Sequence, residues 1–204
     1  MFRRAFIIAA ALAPFSSEAP AYAADPSNEF LANLVGPLYR RGESFACFSR
    51  QYDAAHLTAH PRQQVTFVKA LVTARFQAST LTPASSSYAY QVSLAFKFHD
   101  RAETLTAVAE CGDGTPKDSR RGGAHCAGPG DGGSHLALDG RQAVVLTIPG
   151  GADLWMPGPI DKRHETIKNP FGPDDGVFRL VRTELKECED LAFDRQKPLR
   201  PHEP

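Results

Sequence analysis

Between residues 88 and 98 a large apolar side chain occupies every second position. Tyr88, Tyr90, Val92, Leu94, Phe96 and Phe98 are separated by Ala89, Gln91, Ser93, Ala95 and Lys97. A period of two is that of a strand with one buried and one wetter face. It predicts that Tyr90, Val92, Leu94, Phe96 and Phe98 face the core and that Gln91, Ser93 and Lys97 do not. A slip of one residue would turn five large apolar groups to water. Such a strand spans about 35 Å at ~3.3 Å per residue, which favours a barrel or a strongly twisted sheet. Residues 65–76, rich in β-branched and aromatic side chains, predict the strand before it. Residues 104–111, beyond the turn His99-Asp100-Arg101, predict the strand after it. Asp139-Gly140 between the apolar runs 135–138 and 143–148 is a hairpin signal. Residues 177–182 supply one more strand.

Helical spacing is confined to the beginning of the chain. Asp25-Pro26 is a capping residue followed by proline, and Phe30, Leu31, Leu34, Val35 and Leu38 follow at helical intervals until Gly36-Pro37 interrupts them. Residues 53–60 predict one or two further turns, with Asp53 as cap and Pro61 as stop. Phe45-Ala46-Cys47-Phe48 reads only as a short apolar segment. Residues 112–133 and 149–176 are rich in Gly and Pro and read as two long loops. The expected fold is mainly β: a small antiparallel barrel or curved sheet of about six strands, with a short N-terminal helix and disulfide staples. The expected organisation is a signal peptide at 1–23, an N-terminal helical segment at 24–44, a single β domain at 45–193 and a disordered tail at 194–204.

The first residues place this domain in a compartment. Arg3 and Arg4 precede an apolar run ending near Ala13, and Ala21-Tyr22-Ala23 has the form of a cleavage site. That run is too short to span a bilayer, and no later stretch approaches about 18 apolar residues. The expectation is therefore a periplasmic or secreted chain that does not span the membrane. The 204 residues carry 23 Lys and Arg against 23 Asp and Glu, which gives no electrostatic reason to bind nucleic acid. Four cysteines in an exported chain point to disulfides. Proximity favours Cys111 with Cys126, leaving Cys47 with Cys188, although four cysteines allow three connectivities.

The candidate chemistry is sparse. Asp53, His56 and His60 lie at i, i+3 and i+7, a spacing that can present two imidazoles and a carboxylate to zinc or copper. The competing reading makes them structural, with the histidines bonded to backbone or carboxylate groups. Gly128-Pro129-Gly130-Asp131-Gly132-Gly133 matches a dinucleotide-binding pattern in letters but leads into a strand, where the pattern requires a helix. Ser134 and His135 are adjacent in a strand and point to opposite faces, so they do not form a nucleophile–base pair. Trp155 and Met156, in the second Pro/Gly-rich loop, are candidate ligand or partner contacts, as are Asp174 and Asp175. The bland alternatives are that Trp155 closes one end of the barrel and that the two aspartates form a turn. No cofactor is implied.

Several motifs together resemble those of a family of small secreted bacterial proteins with no established activity. They are the run from Phe48 through Tyr52-Asp53-Ala54-Ala55-His56-Leu57 to His60-Pro61-Arg62-Gln63, then Cys111 and Cys126 with Asp131-Gly132-Gly133, then Asp174-Asp175-Gly176 into Leu180 ahead of Cys188. The resemblance spans most of residues 45–188 and departs at Gly130, where the family pattern places a cysteine. It implies export and a shared architecture, and no activity. The functional expectation is a non-catalytic periplasmic β domain that binds an unknown ligand or a cell-envelope partner. The alternatives are a metal-binding protein centred on Asp53, His56 and His60, and a hydrolase of an envelope polymer, which would need two carboxylates facing each other across a cleft.

Overall fold

A computed structural model describes residues 26–78, 87–112, 123–127, 133–156, 165–192 and 199–200. The expected leader and almost all of the expected tail lie outside these residues. Helix α1 (Pro26–Val35) is followed by β1 (Glu43–Gln51), α2 (Ala54–Ala59), β2 (Val65–Gln77), β3 (Ser87–Phe98), β4 (Thr104–Gly112), β5 (Gly123–Ala127), β6 (Gly133–Leu138) and β7 (Ala143–Thr147). Two short strands come next, β8 (Leu154–Trp155) and β9 (Thr166–Ile167), then β10 (Val177–Thr183) and a 3-10 helix (Leu185–Leu191).

The sheet is antiparallel throughout and closes on itself. Each strand from β1 to β7 pairs with the next, β7 pairs with β10, and β10 returns to β1. This makes an eight-stranded barrel, two strands more than the pattern predicted. The additional wall strands are β1, whose centre is the Phe45–Phe48 segment, and β5, inside the glycine-rich stretch read as loop. β8 pairs with β4 at Thr106, and β9 pairs with β8.

Eight strands leave room for little more than the inward side chains. Phe48, Leu105, Leu136, Leu146 and Leu180 are buried there. Phe96 packs against Phe171 and Phe178 with ring centroids 5.1 and 5.8 Å away. Leu31, Leu34 and Val35 of α1 join the same core, and the Ser44 hydroxyl donates to Pro37 O at 2.6 Å. The helix therefore covers the end at which β1 starts. The largest apolar side chains point inward; the outer face carries charged residues such as Arg75, Glu110 and Arg179 beside the exposed Val108, Val177 and Val181. No helix among the described residues is long and apolar enough to cross a membrane.

Strand β3 has the register that its alternation predicts: Tyr90, Val92, Leu94, Phe96 and Phe98 all lie in the core. Its other face is only partly wet. Gln91 is half-buried and Lys97 exposed, whereas Ser93 and Ala95 are buried. The 3-10 helix lies against this side of the wall and contacts β1, β2 and β3. Leu94→Ala is expected to cost about 3 kcal/mol in urea melts, because it opens a cavity in a filled barrel. Ser93→Ala, which removes a single hydroxyl outside the core, is expected to cost much less. Equal losses would contradict the assigned faces.

Candidate functional site

At the end of the barrel opposite α1, β1 runs into Tyr52 and the short helix α2. Asp53 has extended backbone angles and its Oδ1 accepts from His56 N at 2.8 Å, the N-cap bond that its position before the helix predicts. One helical turn apart, His56 and His60 bring their rings to 4.4 Å between centroids, and Tyr52 stacks on His56 at 4.6 Å. Gln63, which is buried, fixes the arrangement. Its Nε2 donates to Val65 O at 2.7 Å. Its Oε1 then faces His56 Nε2 at 3.0 Å, which makes that imidazole nitrogen the donor. His56 Nδ1 is then the ring nitrogen that keeps its lone pair. The cap bond engages Asp53. Among the described residues no group of three His, Cys, Asp or Glu side chains is placed to hold a metal ion. Asp53, His56 and His60 are thus neighbours at one end of the barrel, joined by the cap bond and the stacked rings.

Asp174 and Asp175 reach the same end from the loop before β10. Asp174 Oδ1 pairs with Arg62 Nη2 at 2.9 Å. Asp175 is only 1% exposed, and its two oxygens accept from Gln64 N at 2.8 Å, Val65 N at 3.2 Å and Gly172 N at 2.8 Å. Gly172 lies so close to the backbone of Arg62 that a Cβ there would fall 2.0 Å from the Arg62 carbonyl oxygen. The aspartates thus tie the loop to the start of β2. Asp175, expected as a possible contact to a ligand, spends its carboxylate on the backbone instead.

Burial pushes the Tyr52 hydroxyl above its ordinary value; the Arg50 guanidinium opposes that rise and Asp175 adds to it. Because the folded-state value is raised, the folded chain keeps the proton at a pH where the unfolded chain has lost it. Stability from this source is intact below about pH 10 and falls as pH rises above it. Urea melts between pH 8 and 11 should show a smaller loss for Tyr52→Phe than for the parent chain. An identical loss would remove Tyr52 as a source.

Trp155 and Met156 lie elsewhere. β8 occupies the edge of β4 beyond the point at which β5 ends, with Thr106 opposite Trp155. Leu154 is the residue that enters the core, fully buried, while Trp155 on the alternate face remains partly exposed. Met156 packs at the margin of the core.

A cleft of about 360 Å³, which no motif in the chain announces, lies on the outer wall near the α1 end. Glu43, Thr73, Arg75, Gln77, Gln91 and Glu110 line it, with Ala89 and the edges of Tyr90 and Cys111. The lining comes from four consecutive strands. Arg75 is paired with Glu43, its Nε 2.9 Å from Oε1. Arg75 lies opposite Ala89 on β3, and Thr73 lies opposite Gln91, which in turn faces Glu110. Pairing of successive strands brings these outward positions side by side, and the small Ala89 leaves a hollow between them. Comparison with protein-family models, with curated proteins and with solved structures finds no match for this chain.

Proposed function

We propose that this chain is an exported, non-catalytic binding domain that holds a polar ligand, or a polar part of a cell-envelope partner, on the outer wall of its barrel. The cleft lined by Thr73, Arg75, Gln77, Gln91 and Glu110 carries this reading. A barrel filled by its own side chains leaves recognition to the outside. The cleft offers donors and acceptors of both kinds, with one arginine against two glutamates. Such a lining suits a ligand rich in hydroxyl and amide groups and low in net charge. Export is supported by the leader-like residues 1–23, by two disulfides and by the resemblance to small secreted proteins.

Soluble oligosaccharides of N-acetylglucosamine carry hydroxyl and amide groups together without net charge and are a direct probe. Amide NMR spectra of the full chain titrated with them should shift at Thr73, Gln77, Gln91 and Glu110. Arg75→Ala should abolish those shifts while changing stability by less than about 0.5 kcal/mol, since an exposed ion pair contributes little. No shifts at millimolar concentrations, or shifts confined to residues 52–63, would overturn the assignment.

A further inference from the structure

The outer wall also carries a pair of imidazoles that neither the end cluster nor the cleft uses. His125 and His135 are direct partners across β5 and β6, and their ring centroids lie 4.8 Å apart with 49° between planes. Their chain neighbours Ala124, Cys126, Ser134 and Leu136 are buried, so both histidines belong to the outward face. His125 is exposed and His135 half-buried.

Small residues surround them. Gly112 lies opposite His125 on β4, and Ala127 lies opposite Gly133 on the next pair of the same face. A Cβ at Gly133 would fall 2.5 Å from His125 Cε1, so the glycine is what lets that ring lie over the sheet. Unlike His56, neither imidazole is hydrogen-bonded among the described residues. The backbone beneath them is fixed, because Cys126 is bonded to its cross-strand partner Cys111.

We propose that His125 and His135 form a two-imidazole chelate for a divalent transition-metal ion of the zinc or copper type, with water completing the coordination. Imidazole suits both ions, and the metal–nitrogen distance is about 2.0–2.1 Å for zinc. Two rings already in contact reach such an ion by side-chain rotation alone. Strand pairing and the adjacent disulfide hold their backbones in place, which lowers the ordering cost of binding. At a site of this kind copper(II) binds more tightly than zinc(II).

Calorimetric titration of the full, oxidised, tag-free chain with copper(II) chloride and with zinc chloride tests the site. The expected result is one ion per chain, with copper the tighter. His125→Gln and His135→Gln should each lower the copper affinity at least tenfold, and the double variant should be little worse than either, since a chelate needs both rings. His56→Gln/His60→Gln should leave the affinity unchanged. Copper should also broaden the amide resonances of Ala127 and Gly133 selectively. Unchanged affinity in both single variants, or a loss found only in the His56/His60 variant, would overturn the proposal. Circular dichroism verifies that each variant is folded.

Discussion

Asp175→Ala is expected to destabilise the folded chain by about 4–6 kcal/mol. The carboxylate is buried and accepts three backbone N–H groups, from Gln64, Val65 and Gly172. A hydrogen bond to a charged group contributes roughly 1.5–3 kcal/mol, and stranding a buried donor costs about 1–3 kcal/mol. Alanine strands three donors at once, with partial relief if water enters. The loop from Gly172 to Gly176 would also lose its tie to β2, although the Ile148 N–H bond to Gly176 O at 3.0 Å remains. Asp175→Asn is the informative companion. Its one remaining oxygen can serve at most two of the donors, and its amide group must face the third, so its loss should be intermediate. Urea melts of the two variants beside Asp174→Ala give the order. Asp174 forms only a partly exposed ion pair with Arg62, and its removal should cost less than about 1 kcal/mol. Similar losses for Asp174→Ala and Asp175→Ala would refute the clamp.

The contrast between β3 and β1 shows why some elements are legible in the sequence and others are not. β3 announces itself because its inward residues are uniformly large. β1 buries Ala46 and Phe48 in the core but also Cys47 and Ser49 on its outer side, so its period of two is erased. The cover responsible is a 3-10 helix from the far end of the chain, and no local pattern announces that contact. β5 is hidden for a different reason. Its inward residues are Ala124 and Cys126, too small to stand out between glycines. At the candidate sites, the Asp53 cap is a local feature and was legible as such. Gln63 was not, because its role depends on one bond to His56 and another to Val65. The cleft and the His125–His135 pair are products of register: their residues become neighbours only when successive strands pair in this alignment.

Replacing Cys47 and Cys188 together by Ala should cost about 5 kcal/mol, whereas replacing Cys111 and Cys126 should cost about 3 kcal/mol. Both bridges are formed, with sequence separations of 141 and 15. On the chain-entropy model the loss grows with the logarithm of the closed loop, and those separations give these two values. The nesting of the short loop inside the long one changes the logarithm little. The contacts around the two bridges favour the same order. Cys47 and Cys188 are fully buried with Leu71 in a small cluster outside the barrel, and their bridge joins the 3-10 helix to β1. Lys69, bonded to Glu187 O at 2.9 Å and paired with Asp190, and the packing of Leu185 and Leu191 also tie that helix to the wall. Cys111 and Cys126 are opposed on neighbouring strands that pair without the bridge. A domain of this kind has roughly 5–15 kcal/mol in total, so loss of the long-range bridge alone can exhaust it. The fold is in this sense matched to an oxidising compartment, and chain made under reducing conditions should be marginally folded. Urea melts of the oxidised parent, the two double variants and the fully reduced chain measure the ranking. A larger loss for Cys111→Ala/Cys126→Ala than for Cys47→Ala/Cys188→Ala would show that local pairing, not chain closure, dominates the stability these bridges confer.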